Sequence, residues 1–150
     1  MRNYEVKIKS FSELNLEELY QVLKLRSDVF VVEQNCVYSD MDNKDEDSFH
    51  CIISFNSKII GYARILPSGL NYTYPSIGRV IIHSDFRGEK LGYKLMNSCM
   101  DFVIQKFNSQ KIVISAQSHL SHFYANLGFN IEGEQYLEDG IPHVKMIFSK

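Results

Sequence analysis

Residues 76–92 (SIGRVIIHSDFRGEKLG) bring together the residue types that hold a phosphate. Ile77, Val80, Ile81 and Ile82 make an apolar run suited to a strand covered on both faces, and residues 84–86 break it. Arg87, Gly88 and Gly92 then supply a fixed cation and two conformationally permissive residues where an amphipathic helix opens. The first N–H groups of a helix have no partner within it and lie at the positive end of its dipole, so an anion there satisfies both. A phosphate or pyrophosphate is the expected ligand. Lys90 stands in this turn. Helical φ and ψ there would cost only clearance for the phosphates, whereas a positive φ would strain a residue that carries a Cβ. Taken alone, the motif also describes an ordinary strand-to-helix turn.

Two other clusters invite a metal reading and fail it. Asp40, Asp42, Asp45, Glu46 and Asp47 suggest a calcium loop, but counting from Asp40 puts Lys44 at position five, Asp45 at six and Cys51 at twelve. The run reads instead as a solvated loop, or as acids flanking a mouth that attracts a cationic amine. His50 and Cys51 are neighbours in an alternating strand, so their side chains face opposite sides of the sheet. No metal is expected. Cys36, Cys51 and Cys99 are an odd number at wide spacing, which argues against a disulfide framework and for buried or half-buried thiols in a reducing, cytoplasmic compartment. Cys36 is expected to be the most reactive.

The elements that must position the phosphate turn follow from two hydrophobic periods. Tyr4, Val6 and Ile8 alternate with charged residues as a half-exposed first strand. Asn15 can cap a helix whose Leu16, Leu19, Tyr20, Leu23 and Arg26 lie three or four apart, leading towards Phe30. After the acidic connector, residues 49–55 and 59–66 read as two strands joined by a hairpin at residues 56–58. The fourth strand covers residues 76–83, and a long helix follows with Leu91, Leu95, Cys99, Phe102 and Phe107 on one face. Residues 111–116 (KIVISA) are the fifth strand, and a short helix from Ser118 ends at Gly128. Two closing strands, at residues 129–137 and 142–148, meet at Glu138, Asp139 and Gly140. The order β α β β β α β α β β predicts an α/β (α+β) chain with a mixed sheet flanked by helices.

The 150 residues fit one domain, with roughly 68–70% of the unfolded chain's surface buried. The 45% hydrophobic and 23% charged content is that of a globular protein, with no apolar run near the ~18 residues of a membrane span. Nothing in residues 1–10 resembles a signal peptide. A net charge of −2 argues against nucleic-acid binding, which usually needs a basic excess.

The element order, RGEKLG (residues 87–92) and FYANLGF (residues 123–129) together resemble the GNAT acetyltransferases, whose signature is Arg or Gln, two residues, Gly, one residue, then Gly or Ala. Lys90 takes the place of the central glycine. RSDVFVVEQNCVYSDMD, IGRVII and EDGIPHVKM narrow the similarity to the ElaA subfamily. The resemblance implies a mostly antiparallel sheet of six to seven strands, splayed between strands four and five, and transfer of an acetyl group from acetyl-CoA to a small-molecule or peptide or protein amine. The amine would attack the thioester directly, with both substrates bound.

Carried over from the family, the backbone of Val80, Ile81 and Ile82 would bind the pantetheine and the carbonyl. Gly88, Glu89, Lys90, Leu91, Gly92 and Tyr93 would hold the pyrophosphate, with Arg87 at the rim. Tyr124 aligns with the tyrosine that protonates the leaving thiolate, although its position also suits a core aromatic. Gln117 occupies a place where relatives touch the cofactor with an Asn. The resemblance supplies no general base, because Ile112 and Val113 stand where some relatives have a carboxylate. Glu33 and His143 are the leading substrate-pocket candidates, ahead of His83, His119 and His122, and an amine that enters neutral would need no base. Two rivals remain: an acyl-CoA-binding sensor without turnover, and a transferase for longer acyl chains, since RSDVFVVEQ is similar to a segment of the acyl-homoserine lactone synthases. A Gly-rich dinucleotide fingerprint is absent, which argues against a nucleotide-binding domain. A C-terminal edge strand suggests a homodimer.

Overall fold

In a computed structural model that describes residues 2–150, the two periods resolve into seven strands and three α-helices. They are β1 (Glu5–Ser10), α1 (Leu16–Arg26), β2 (Phe49–Phe55), β3 (Lys58–Leu66), β4 (Ser76–Ile82), α2 (Leu91–Lys106), β5 (Lys111–Gln117), α3 (Ser121–Asn126), β6 (Phe129–Glu138) and β7 (Ile141–Ser149). The order is the expected one. The strands form a mixed sheet, β1-β2-β3-β4-β5-β7-β6, in which β4 and β5 are the parallel pair. Their crossover is α2. No helix among the described residues is long and apolar enough to cross a membrane.

Alternation along the strands divides the core between the two faces of the sheet. Cys51, Ile53, Ala63, Ile65, Ile112 and Ile114 pack under Leu95, Met96, Cys99 and Val103 of α2. On the other face Ile52, Ile59, Tyr62 and Ile81 meet Val22, Leu25 and Val29. The asparagine expected to cap α1 does so within a capping box: Asn15 Oδ1 accepts from Glu18 N at 2.8 Å, and Glu18 Oε1 accepts from Asn15 N at 3.0 Å.

The inward face of α1 differs from the expected one. Leu16 and Tyr20 are 87% and 71% exposed, whereas Val22 and Leu25 are buried, and of the expected row Arg26 alone is buried. Both rows satisfy helical spacing, but none of residues 16–21 is buried: the first half of the helix meets the sheet through polar contacts, Glu18 with Lys9 and Gln21 with Ile59 N, and the apolar contact lies in the second half. The row beginning at Val22 points inward there, and a π-helical turn, Ser27–Glu33, carries it on to Val29.

The acidic connector is solvated only in part, at Glu46 and Asp47. Asp40, Asp42 and Asp45 fold inward onto Arg26, Arg64 and Arg79, three cations against three anions. Arg26, 1% exposed, donates from Nε to Asp40 Oδ2 at 2.9 Å and from Nη1 to Asp45 Oδ1 at 2.8 Å. Arg64 grips both Asp42 oxygens, at 2.8 and 2.7 Å, and Asp45 at 2.9 Å. His50 donates from Nε2 to Asp45 O at 2.9 Å, which leaves Nδ1 to accept from the Tyr62 hydroxyl at 2.6 Å. A charge buried without a partner is costly, so the arginines supplied by α1, β3 and β4 draw the acids in. Charge alone did not reveal this, because the partners are 14 to 39 residues away.

Candidate active site

β4 and β5 start side by side and then part. Ser76 pairs with Val113, and Val113 N donates to Pro75 O at 3.0 Å, but among the described residues no later position of β4 pairs with β5. Backbone groups of β4 beyond that point face a gap, the setting in which an extended ligand can complete a ladder. A bulge contributes to the opening. The β3–β4 register slips between Tyr62 and Arg64, so Arg79 and Val80 together oppose Ala63, and Arg79 takes φ +53°. Its guanidinium is fixed at Asp40, donating from Nε to Oδ1 at 2.8 Å and from Nη2 to the backbone O at 2.9 Å.

At the end of β4 a short 3-10 turn, Ser84–Phe86, leads into the predicted phosphate turn. Gly88 has φ +88°, and Lys90 has φ +60° and ψ +23°, so Lys90 is left-handed and strained. It is the N-cap residue of α2, yet no side chain caps this helix and its first turn holds no acid. Lys90 and Lys94 flank the N-terminus instead, where cations oppose the dipole and an anionic ligand would reverse the sign of the interaction. A Cβ at Gly92 would lie 3.2 Å from the Phe123 ring, so glycine there lets α3 pack against the turn.

Arg87 and Glu33, expected in different roles, are partners. Arg87 Nη1 lies 2.8 Å from Glu33 Oε2, and Arg87 Nε donates to Ile82 O at 2.9 Å. Glu33 therefore sits beside the phosphate turn and does not line the cavity described next, and the Ile82 carbonyl is already engaged. Glu89 is occupied as well, by Arg2 at 3.0 Å and the Tyr4 hydroxyl at 2.8 Å.

The gap between β4 and β5 opens into a cavity of ≈ 490 Å³ that Val80, Gln117, Tyr124 and His143 all line. Tyr124 is 7% exposed, and burial pushes its phenol up to about 12. Its hydroxyl has no hydrogen-bond partner among the described residues. Phe123 and Phe129 hold the ring edge-on at 4.9 and 6.1 Å. Gln117 Nε2 donates to Gln34 Oε1 at 3.3 Å.

His143 is placed by register. It lies opposite Gln117 on β5 and Tyr136 on β6, so the three share a face, and Ser115 and Glu138 join them two residues along their own strands. His143 is 6% exposed and donates from Nδ1 to Ile141 O at 2.7 Å, while Nε2 faces Glu138 Oε2 at 3.4 Å. Ser115 Oγ donates to Glu138 Oε1 at 3.1 Å and is also hydrogen-bonded to the Tyr136 hydroxyl. Ser115 and Glu138 were missed in the sequence, where Glu138 read only as a turn residue. The signal was the spacing of Tyr136 and Glu138, usable once the turn at Asp139 and Gly140, with φ of +51° and +79°, fixes the hairpin register. His83, His119 and His122 do not line the cavity.

A family model described as an acetyltransferase (GNAT) domain matches residues 11–150. Protein ElaA of Escherichia coli K12 is 42% identical over 137 residues, 90% of each chain. Its crystal structure superposes with a TM-score of 0.92, covering 98% of this chain and 100% of that one. An acyl-CoA N-acyltransferase from Pseudomonas aeruginosa superposes with a TM-score of 0.93 at 35% identity, over 98% and 100% of the two chains. The acyl-homoserine lactone synthase LasI shares the fold alone, with a TM-score of 0.82 at 16% identity over 99% and 91%. The open β4–β5 gap, the uncapped α2 terminus beside it and these matches agree: the chain belongs to the GNAT acetyltransferase family, in its ElaA-like branch, and is an acyl-CoA-dependent acyltransferase.

Proposed function

We propose that the chain transfers an acetyl group from acetyl-CoA to a small-molecule or peptide amine, by direct attack of the amine on the thioester in a ternary complex. The observation that carries this reading is that the open β4 edge and Tyr124 line one cavity, while the uncapped N-terminus of α2 follows the far end of β4, outside that lining. The pantetheine would lie along Val80, Ile81 and Ile82, hydrogen-bonded to backbone that β5 leaves free. N–H groups of residues 88–93, with Lys90, would meet the pyrophosphate, and Arg87 would hold the turn against Ile82 O and Glu33.

As the amine nitrogen bonds to the carbonyl carbon, charge develops on the oxygen and then on the departing sulfur. The β4 backbone can donate to the first, and the Tyr124 hydroxyl to the second. Burial keeps that phenol neutral at pH 7, so it reaches the thiolate as a donor. Gln117, held by Gln34, would border the thioester.

Thermal unfolding with acetyl-CoA, against ATP and NADH, tests the cofactor without requiring the acceptor. Ligand at a hundred times its Kd stabilises by about 2.7 kcal/mol. A rise with acetyl-CoA alone, followed by amine-dependent CoA release, is expected; no rise refutes the reading. Acyl-CoA donors of increasing chain length, assayed alongside, would assign a longer-chain transferase if they outpace acetyl-CoA.

A further inference from the structure

The structure assigns a proton acceptor to this reaction: we propose that Glu138 and His143 together form the site that binds the acceptor amine as an ammonium ion and takes its proton. The inference rests on the amine-acceptor reading above. A backbone carbonyl fixes the His143 tautomer. Nδ1 is 2.7 Å from Ile141 O, an oxygen that can only accept, so Nδ1 carries the hydrogen. In the neutral ring Nε2 is then a lone pair, and it points at Glu138 Oε2, another lone pair, at 3.4 Å. Two acceptors facing each other in a cavity wall lack a donor between them. A single nitrogen with several N–H bonds supplies it, because one atom can sit about 2.8–3.0 Å from both.

The surroundings hold the pair in place and leave its acceptor edge open. Ser115 Oγ donates to Glu138 Oε1 at 3.1 Å, which leaves Oε2 for a ligand. Tyr136 stacks on the imidazole at 6.2 Å between centroids. The other groups facing the pair are Tyr72 from the loop after β3, which lies beside Tyr136, Glu138 and Ser115, and Asp139 in the turn, whose carbonyl accepts from the Cys36 thiol at 3.4 Å. The cations on the cavity wall are engaged elsewhere, Arg64 by Asp42 and Asp45, Arg79 by Asp40, and Lys44 by the Asn71 side chain. Glu138 and His143 line the same cavity as Val80 and Tyr124, so an amine held by the pair shares that cavity with the donor for the thiolate.

The step balances without another reagent. The ammonium gives one proton to the carboxylate or imidazole, and its freed pair bonds to the thioester carbon. The C–S bond then breaks, and the thiolate takes a proton through Tyr124 or water. The new amide nitrogen loses its second proton, and Glu138 and His143 return theirs to solvent.

The test compares two acceptors. Methylamine arrives protonated at pH 7 and needs the base, whereas methoxyamine is already neutral. Glu138→Gln and His143→Gln should lose about 10²–10⁴-fold in kcat/KM for methylamine and at least about tenfold less than that for methoxyamine, which needs no proton removed before attack. Stabilisation by acetyl-CoA should be unchanged in both. Equal losses for the two amines would mean a structural role, and no loss for methylamine would remove the base; either overturns the proposal. If the wild type acetylates neither amine while acetyl-CoA still stabilises it, the His143 ring signals are followed by NMR during titration with methylammonium chloride. A shift in the wild type that is absent in Glu138→Gln supports the site. No shift overturns it.

Discussion

Replacing Lys90 separates backbone strain from charge at the phosphate turn. The residue holds φ +60° and ψ +23° without a hydrogen bond from its side chain to the helix it caps. A left-handed residue with a Cβ costs about 1–2 kcal/mol, and glycine offsets this with about 0.4–1 kcal/mol of extra unfolded-state entropy. Lys90→Gly should therefore stabilise the free protein by roughly 0.5–1 kcal/mol, a rise in Tm of about 1–4 °C for a chain this long. Removing the ammonium next to the pyrophosphate should cost about 0.2–1 kcal/mol of binding, or a Kd raised about 1.5–5-fold. Lys90→Ala provides the control, because it loses the charge and keeps the Cβ. It should bind CoA as weakly as the glycine variant and gain no Tm. Calorimetric unfolding of the free proteins and titration with CoA at low and high salt measure both quantities. Equal Tm for the two variants would refute the strain argument. A Kd unchanged by either, at low salt, would remove Lys90 from the binding site.

Tyr124→Phe should lower kcat by about 10²-fold or more and leave the acetyl-CoA-induced rise in Tm intact, since only the hydroxyl is lost; unchanged kcat in a steady-state CoA-release assay would return Tyr124 to the core. Acid should unfold the protein through the buried ion network. Burial raises the Asp42 carboxyl, but the Arg64 hydrogen bonds and charge outweigh this and lower it from 3.8 to about 2. A depressed folded value means the stability is present above pH ~4 and is lost as pH falls through about 2, so Asp42→Asn should flatten the pH dependence of the unfolding free energy between those limits. Arg26→Met leaves Asp40 and Asp45 short of a buried partner and should cost about 3–5 kcal/mol by urea unfolding; a cost under 1 kcal/mol would show that the network is not satisfied as described. Gly92→Ala should destabilise by about 1–3 kcal/mol, because the Phe123 ring must shift from 3.2 Å, and a neutral result would mean that α3 yields freely.

Local patterns carried far in this chain. Alternation, the Asn15 cap and the turn residues at Asn56 and Gly140 place every strand and helix in order, because each depends on neighbours within a few residues. The turn between β4 and α2 was legible for the same reason, though not the sign of φ at Lys90, which depends on how α2 docks. Three features lay beyond local reading. The inward row of α1 is chosen by where the sheet happens to lie, and the sequence offers two rows of similar spacing. The acids at 40, 42 and 45 find their arginines on three separate elements. Ser115 joins the Glu138–His143 hairpin only through the β5–β7–β6 order, which reverses the chain order of the last two strands. The pairing of Glu33 with Arg87 was hidden for a related reason, since the two lie 54 residues apart.

The divided sheet also bears on cooperativity. β1–β4 and β5–β7 share one ladder pair, Ser76 with Val113, so hydrogen bonding makes them two nearly separate ribbons. What joins them is side-chain packing under α2, where Leu95, Met96 and Cys99 belong to a cluster drawn from both ribbons. Packing is non-directional and tolerates small changes of angle that a ladder would resist. In the absence of ligand the two ribbons can therefore exchange their amide hydrogens as distinct units. A molecule that bridges the gap along its length works as a splint, fusing two opening units into one, and protection should then rise on both sides of the gap together.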